Sequence, residues 1–252
     1  FDQDLKKWKA VITGENITRY FTKDKSEEFI KYGDWLGAKR EERFFKDSRV
    51  LTRQIVSGNP LRIYSSYSES EQYFTQIGFG IISKIQEQYS NKYILVLMNS
   101  KLINFYHKYS FLDLEKELFQ KILIANCKKF PIRKIQFTQQ EPFIKKANQM
   151  ISLNKDLQVV IQKFIRTLQR KFELEKLPKK LEDWYLLNYG DFVLELKKKK
   201  IKLSLSEEAE WEDYFLQEQQ KALELKTQID TTDKEIDQMV YELYGLTKEE
   251  IE

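Results

Sequence analysis

FFKDSRVLTRQIVSGNPLRIY, Phe44 to Tyr64, threads Lys46, Arg49, Arg53 and Arg62, with Arg43 just before them, through a β-like apolar pattern. Val50 to Val56 is rich in branched apolar residues, and Ser57-Gly58-Asn59-Pro60 follows it with turn chemistry, so the stretch predicts a strand ended by a turn. If all of it is extended, alternation puts Arg49 and Arg53 on one face and Lys46 on the other. Lys46 and Arg49 could then share a face only if a loop precedes Val50.

Outward from this stretch the first half stays irregular, with a second short β-prone run from Phe79 to Ile85 and a turn signal at Gly78. From Asn91 to Tyr109, Leu95, Met98, Leu102, Phe105 and Tyr109 recur at three- and four-residue spacing, which predicts one helix packing that face into the core. Asn99-Ser100 is its polar interruption and is expected to cap a helix or bond within the core. Pro131 and Pro142 bracket a connection, because each resists continuing a helix through itself.

The second half has a different rhythm. Ala147, Ile151, Leu157, Ile161, Phe164, Leu168 and Phe172 form one stripe. Trp211, Phe215, Ala222, Leu225, Ile229, Ile236, Val240 and Leu243 form another, with Glu218 and Thr232 in two of its seam positions. Ser206 ahead of Glu207 and Glu208 reads as an N-cap. Two helices of about 30 residues, each about 45 Å long, are expected to pair as an antiparallel, coiled-coil-like hairpin. The fold class is thus α+β: a mixed domain over residues 1–135 and a helical hairpin over 136–252. Lys197 to Lys200, in the segment between the stripes, reads as a solvated face.

At 41% hydrophobic and 14% aromatic residues the chain has ample material for a core. No apolar run approaches a membrane span, and FDQDLKKWKA lacks both an initiator Met and a signal-peptide core, which points to a piece of a longer, cytoplasmic protein. One cysteine, Cys127, excludes an internal disulfide, and a single His107 leaves no metal cluster. The net charge of +4 hides an asymmetry. Residues 1–135 hold 24 basic against 16 acidic side chains, and residues 136–252 hold 19 against 23. The first half is the polyanion binder by charge.

Catalytic signatures are weak. Asn59-Pro60-Leu61 falls one residue short of the Asn-Pro-Pro-aromatic motif of amino methyltransferases, with Leu61 for the second proline and Arg62 for the aromatic, and no Gly-x-Gly loop precedes it. Asp183 with Glu195-Leu196-Lys197 matches the loose carboxylate and lysine pattern of metal-dependent nucleases. Glu-Leu-Lys recurs at Glu224 to Lys226, so charge pairing explains it better. Cys127 and His107 have no third partner for nucleophilic catalysis, and His107 is expected to be packed. No catalytic, cofactor or metal residue is assigned. What remains is an interleaving of cations, amides and aromatics: Arg19, Lys39, Arg40, Arg43, Lys46, Arg49, Arg53, Gln54, Arg62, Tyr64 and Tyr67. Arg takes guanine O6 and N7 bidentately, Gln takes adenine N6 and N7, and Lys holds phosphates. Arg53, Arg49, Lys46 and Arg19 are the positions most expected to face DNA, with a buried ion pair as the other role open to Arg53. Trp8, Tyr20 and Tyr106 are expected in the core.

Trp8, the segment Gly14-Glu15-Asn16-Ile17-Thr18-Arg19-Tyr20, Tyr32-Gly33, Phe44 or Phe45, Val50 to Ile55, Leu97 to Leu102, Phe105-Tyr106 and Phe130-Pro131-Ile132 follow one another in an order that resembles a TaqI-like C-terminal specificity domain. The remainder, ending in Val240-Tyr241-Glu242-Leu243-Tyr244-Gly245-Leu246-Thr247-Lys248-Glu249-Glu250-Ile251, resembles the helical spacer and ending of type IIG restriction-modification enzymes. Asn16 stands where an Asp is common, and Thr52-Arg53 departs from the usual pair, which leaves base preference open. The resemblance implies a target recognition domain for double-stranded DNA. It is joined in the parent to an N-terminal methyltransferase domain that modifies adenine with S-adenosylmethionine, and in a cleaving parent to a Mg²⁺-dependent nuclease. This piece itself is then no enzyme. The alternatives are an assembly module of a restriction-modification complex, docking through its helices, and a metal-dependent nuclease on Asp183, Glu195 and Lys197.

Overall fold

A computed structural model describes residues 8–23, 28–58, 60–85, 88–115 and 120–251. It is α+β, as the sequence predicts. Its described residues form two compact units, one running to Ile151 and resuming at Asp233, the other spanning Ser152–Thr232. No described helix is long and apolar enough to cross a membrane.

In the first unit, β1 (Trp8–Ile12) pairs antiparallel with β2 (Glu28–Lys31). A helical turn, α1 (Arg43–Lys46), leads into β3 (Arg49–Arg53), which lies between β4 (Ser65–Ser68) and β6 (Gly78–Ile81), antiparallel to both. The short β5 (Tyr73–Phe74) runs parallel to β1. The opening stretch is therefore not extended throughout. Phe45 is driven into the core, where its ring stacks on Tyr73 at 4.6 Å and meets Phe74 and Tyr32 edge-on at 5.1 and 5.5 Å. Around it pack Val11, Ile12, Ile17 and Leu51. Trp8, expected in this core, is 47% exposed. Gly58 closes the turn after β3 with φ of 92°, a conformation that suits glycine. Asn59 lies outside the described residues.

The helix expected from Asn91 to Tyr109 is two helices. The first, α2 (Asn91–Asn99), is buried almost throughout. At Ser100 the backbone turns extended, and the Ser100 hydroxyl accepts from Ile103 N–H at 3.3 Å to cap α3 (Lys101–Phe111). Asn99 bonds both the N–H and the C=O of Ser65, at 3.1 and 2.9 Å, and so joins α2 to β4. The change of axis at Ser100 breaks the apolar stripe: Met98 is buried, whereas Phe105 and Tyr109 are exposed.

After the short α4 (Ile124–Cys127) comes α5 (Phe137–Phe172). Pro142 lies inside α5 rather than ahead of it. Its sixth position removes only one hydrogen bond near the N-terminus, where most N–H groups already lack an i−4 partner. In the second unit the C-terminal part of α5, α6 (Tyr189–Lys198) and the first part of α7 (Leu205–Tyr244) enclose an aromatic core. Phe164 stacks on Trp184 at 3.8 Å and meets Phe215 at 6.0 Å, while Phe172 meets Trp211 at 5.2 Å. Later residues of α5 meet earlier ones of α7, so these segments run antiparallel. Glu218 and Thr232 are buried in the seam. The cap of α7 is Ser204 rather than Ser206. Its hydroxyl accepts from Glu207 N–H at 3.4 Å, and the Glu207 carboxylate accepts from Ser204 N–H at 3.0 Å, a reciprocal capping box. The chain ends in α8 (Lys248–Ile251).

Candidate nucleic-acid interface

Between Ser48 and Ser68 the chain carries Arg49, Arg53 and Arg62 and no acidic residue. The fold treats the three differently. Arg49 begins β3 fully buried and donates to three backbone carbonyls: Asp47 at 2.7 Å, Ser70 at 2.9 Å and Gln72 at 3.4 Å. Burial pulls its pKa down to about 10, so it remains a cation at neutral pH, held by carbonyl dipoles. It ties the loop before β5 to β3, and its side chain is buried where the sequence reading expected it to be turned outward.

Arg53 ends β3 half-buried. Its Nη2 donates to Ser57 Oγ at 3.0 Å and its guanidinium lies over the Tyr64 ring at 5.2 Å. Among the described residues no carboxylate pairs with it, so the buried ion pair considered for Arg53 is not formed there. Gln54 follows with both main-chain groups engaged: its N–H donates to Ile77 C=O and its C=O accepts from Ile122 N–H, each at 2.8 Å. Arg53 N–H donates to Tyr64 C=O at 3.0 Å, which sets these two residues side by side, and the backbone bridge between Ser57 and Arg62 closes the turn beyond them.

The other predicted residues are dispersed. Lys39 pairs with Asp34, Arg43 with Glu41 and Lys46 with Glu42, each on an exposed surface with a near sequence neighbour. Such pairs hold weakly and open readily to a stronger anion. Arg40 donates to the carbonyls of Phe74 at 3.3 Å and Thr75 at 3.1 Å and lies on the Phe74 ring; burial lowers its pKa. Tyr67 gives its hydroxyl to Glu69 at 2.6 Å, and burial pushes its pKa up to about 12.

Arg19 is structural as well. Its guanidinium grips Asp233 of α7 with two bonds, of 2.9 and 2.6 Å, and donates to Asn99 C=O at 2.9 Å. Arg62 reaches the same carboxylate only at 4.0 Å. Asp237, one helical turn on, accepts from Lys101 N–H at 2.8 Å. With the partner carboxylate neutralised, Asp233→Asn leaves the Arg19 cation largely buried without its counter-charge. Urea denaturation is expected to show a loss of about 2 kcal/mol, between the values of exposed and fully buried pairs. A loss below about 0.5 kcal/mol would show that the pair contributes only as a surface pair does.

Sequence reasoning missed the exposed face of α3. Phe105 and Tyr109, assigned to the core, are 61% and 55% exposed, with Lys101 and Lys108 beside them. The signal was Asn99-Ser100: Ser100 caps a helix and Asn99 bonds within the core, as the sequence reading expects, but the cap opens a second helix rather than interrupting one. His107, on the opposite side of α3, is buried against Phe111 and Phe130, as expected. Among the described residues no group of His, Cys, Asp or Glu could hold a metal ion. Glu195 of the nuclease-like pattern is taken by Lys198 at 2.7 Å and Lys180 at 3.8 Å.

Two family matches bear on this geometry. Residues 136–240 match a domain of unknown function, DUF8810, and residues 9–132 match the TaqI-like C-terminal specificity domain. No curated protein matches the chain. The second match covers β1 to β6 and the arginine loop, and it agrees with the order of motifs in the sequence: residues 9–132 carry a TaqI-like C-terminal specificity domain.

Proposed function

We propose that residues 9–132 read the sequence of duplex DNA as the specificity region of a restriction-modification enzyme. The parent's N-terminal methyltransferase domain, outside this chain, modifies adenine with S-adenosylmethionine, and where the parent also cleaves, a Mg²⁺-dependent nuclease domain acts with it in the cytoplasm. This piece contributes recognition and no chemistry. The observation that supports the reading is Arg53, a cation without a carboxylate partner among the described residues, on an acid-free segment of a specificity domain. Its guanidinium is braced by Ser57 and Tyr64, which limits its freedom before binding and suits bidentate contact with a guanine edge. Lys39, Arg43 and Lys46 would release their local acids to phosphates and set register without sequence preference.

Selection from a random duplex pool should enrich one sequence for the wild-type chain. Arg53→Ala is expected to bind that duplex about tenfold more weakly while its affinity for unrelated duplex stays the same. Lys46→Gln should weaken both duplexes alike and flatten the salt dependence. A folded Arg53→Ala protein with unchanged preference would remove Arg53 from the site. Absence of any salt-dependent duplex binding would favour the assembly module instead.

A further inference from the structure

We infer that the exposed face of α3 is a second nucleic-acid site, one that stacks the bases of an unpaired strand. Phe105 and Tyr109 stand one turn apart with ring centroids 4.6 Å from each other and planes inclined at 48°. Both rings are more than half exposed. Beside them lies a cleft of about 220 Å³, bordered by Leu61, Arg62, Lys101 and Lys108 and containing no carboxylate in its lining. It is smaller than the roughly 300–1,000 Å³ of pockets that enclose drug-sized ligands, and matches one planar ring better than a whole side of a protein partner.

The charges select the occupant. Lys108 Nζ lies 4.9 Å from the Tyr109 ring centre, so a cation already borders the stacking surface. Lys101 pairs with Asp237 at 3.7 Å and Arg62 reaches Asp233 at 4.0 Å, so among the described residues Lys108 is the cation of the lining without a carboxylate partner. Aromatic faces flanked by cations are what an unpaired strand needs: each base offers a π-face to a ring while its phosphates meet the lysines. Paired bases inside a duplex have those faces covered by their neighbours, so this site and the Arg53 loop take different forms of nucleic acid. Arg62 belongs to both surroundings, since it closes the loop that begins near Arg53 and borders the α3 cleft.

Fluorescence anisotropy with labelled oligothymidylate at low salt tests this directly on the whole chain. Phe105→Ala/Tyr109→Ala is expected to bind the oligonucleotide at least tenfold more weakly than wild type, with its circular dichroism unchanged because both rings are exposed. A strand of abasic sites should bind wild type and variant equally, since only the bases stack. Arg53→Ala should keep its affinity for oligothymidylate within about threefold. The inference falls if wild type does not bind oligothymidylate, if the double variant binds it as wild type does, or if the abasic strand distinguishes the two proteins. It falls too if the double variant only turns a dimer into a monomer, which would make the face a contact between copies. Loss of duplex preference by Arg53→Ala tests the other reading and leaves this one standing.

Discussion

Arg49→Ala is expected to lower the unfolding free energy by about 3 to 5 kcal/mol, enough to unfold a marginally stable domain at physiological temperature. Three contributions lead there. The side chain is fully buried, so its removal leaves a cavity. The carbonyls of Asp47, Ser70 and Gln72 lose their shared donor, a charge-assisted set of bonds that water replaces only in part. The loop before β5 loses its tie to β3, and Tyr73 of β5 stacks on Phe45 at the centre of the core. Arg49→Lys should recover little, because one ammonium on a shorter reach cannot replace a planar fork. Arg53→Ala, in contrast, should stay within about 1 kcal/mol of wild type, since its side chain is half-exposed and bonds one hydroxyl. Denaturant melts of the three variants measure the difference. Equal stability of Arg49→Ala and Arg53→Ala would show that the carbonyl cluster does not hold the fold.

Stability should also fall as the solution is acidified from about pH 6.5 towards pH 4, and His107→Leu should remove much of that fall. His107 is 2% exposed, and its Nε2 has no hydrogen-bond partner among the described residues. Burial pulls its pKa down to about 4. The unfolded chain binds a proton near pH 6.5 and the folded one only near pH 4. Between these values the unfolded state therefore holds more protons, and stability declines as pH drops. The separation corresponds to about 3 kcal/mol once pH reaches the lower value. Leucine keeps an apolar side chain of similar size against Phe111 and Phe130 and has nothing to protonate. Melts of both proteins at several pH values give the test: parallel curves for wild type and His107→Leu would place the acid sensitivity elsewhere.

The long-range features of the fold were legible where one physical preference acted alone. The stripes of Phe164, Leu168, Trp211 and Phe215 face a single seam over many turns, so their period gave both long helices. The boundaries were harder. Ser204 and Ser206 both precede acidic residues, and the three-residue distance from Ser204 to Glu207 that makes a capping box distinguishes them. Alternation could not show that Arg43 to Lys46 turns helical to bury Phe45, because burial of one large ring outweighs a local pattern. The arginines were legible as a set and not as individuals. Arg19, Arg49 and Arg53 look alike in sequence, yet one meets a carboxylate more than two hundred residues away, one meets carbonyls and one meets a hydroxyl. Those partners arrive through tertiary folding, which spacing along the chain does not encode.

The grip of Arg19 on Asp233 has a consequence for the order in which the protein is made. A ribosome delivers β1 to β6 and the whole 152–232 unit before it delivers Asp233, Asp237 and Tyr244, which bond to Arg19, Lys101 and Pro131 in the first unit. During that interval the second unit has all of its residues and the first does not, an arrangement under which the second unit can complete its fold first. Arg19 and Lys101 would then gain their carboxylate partners only when the last part of α7 emerges.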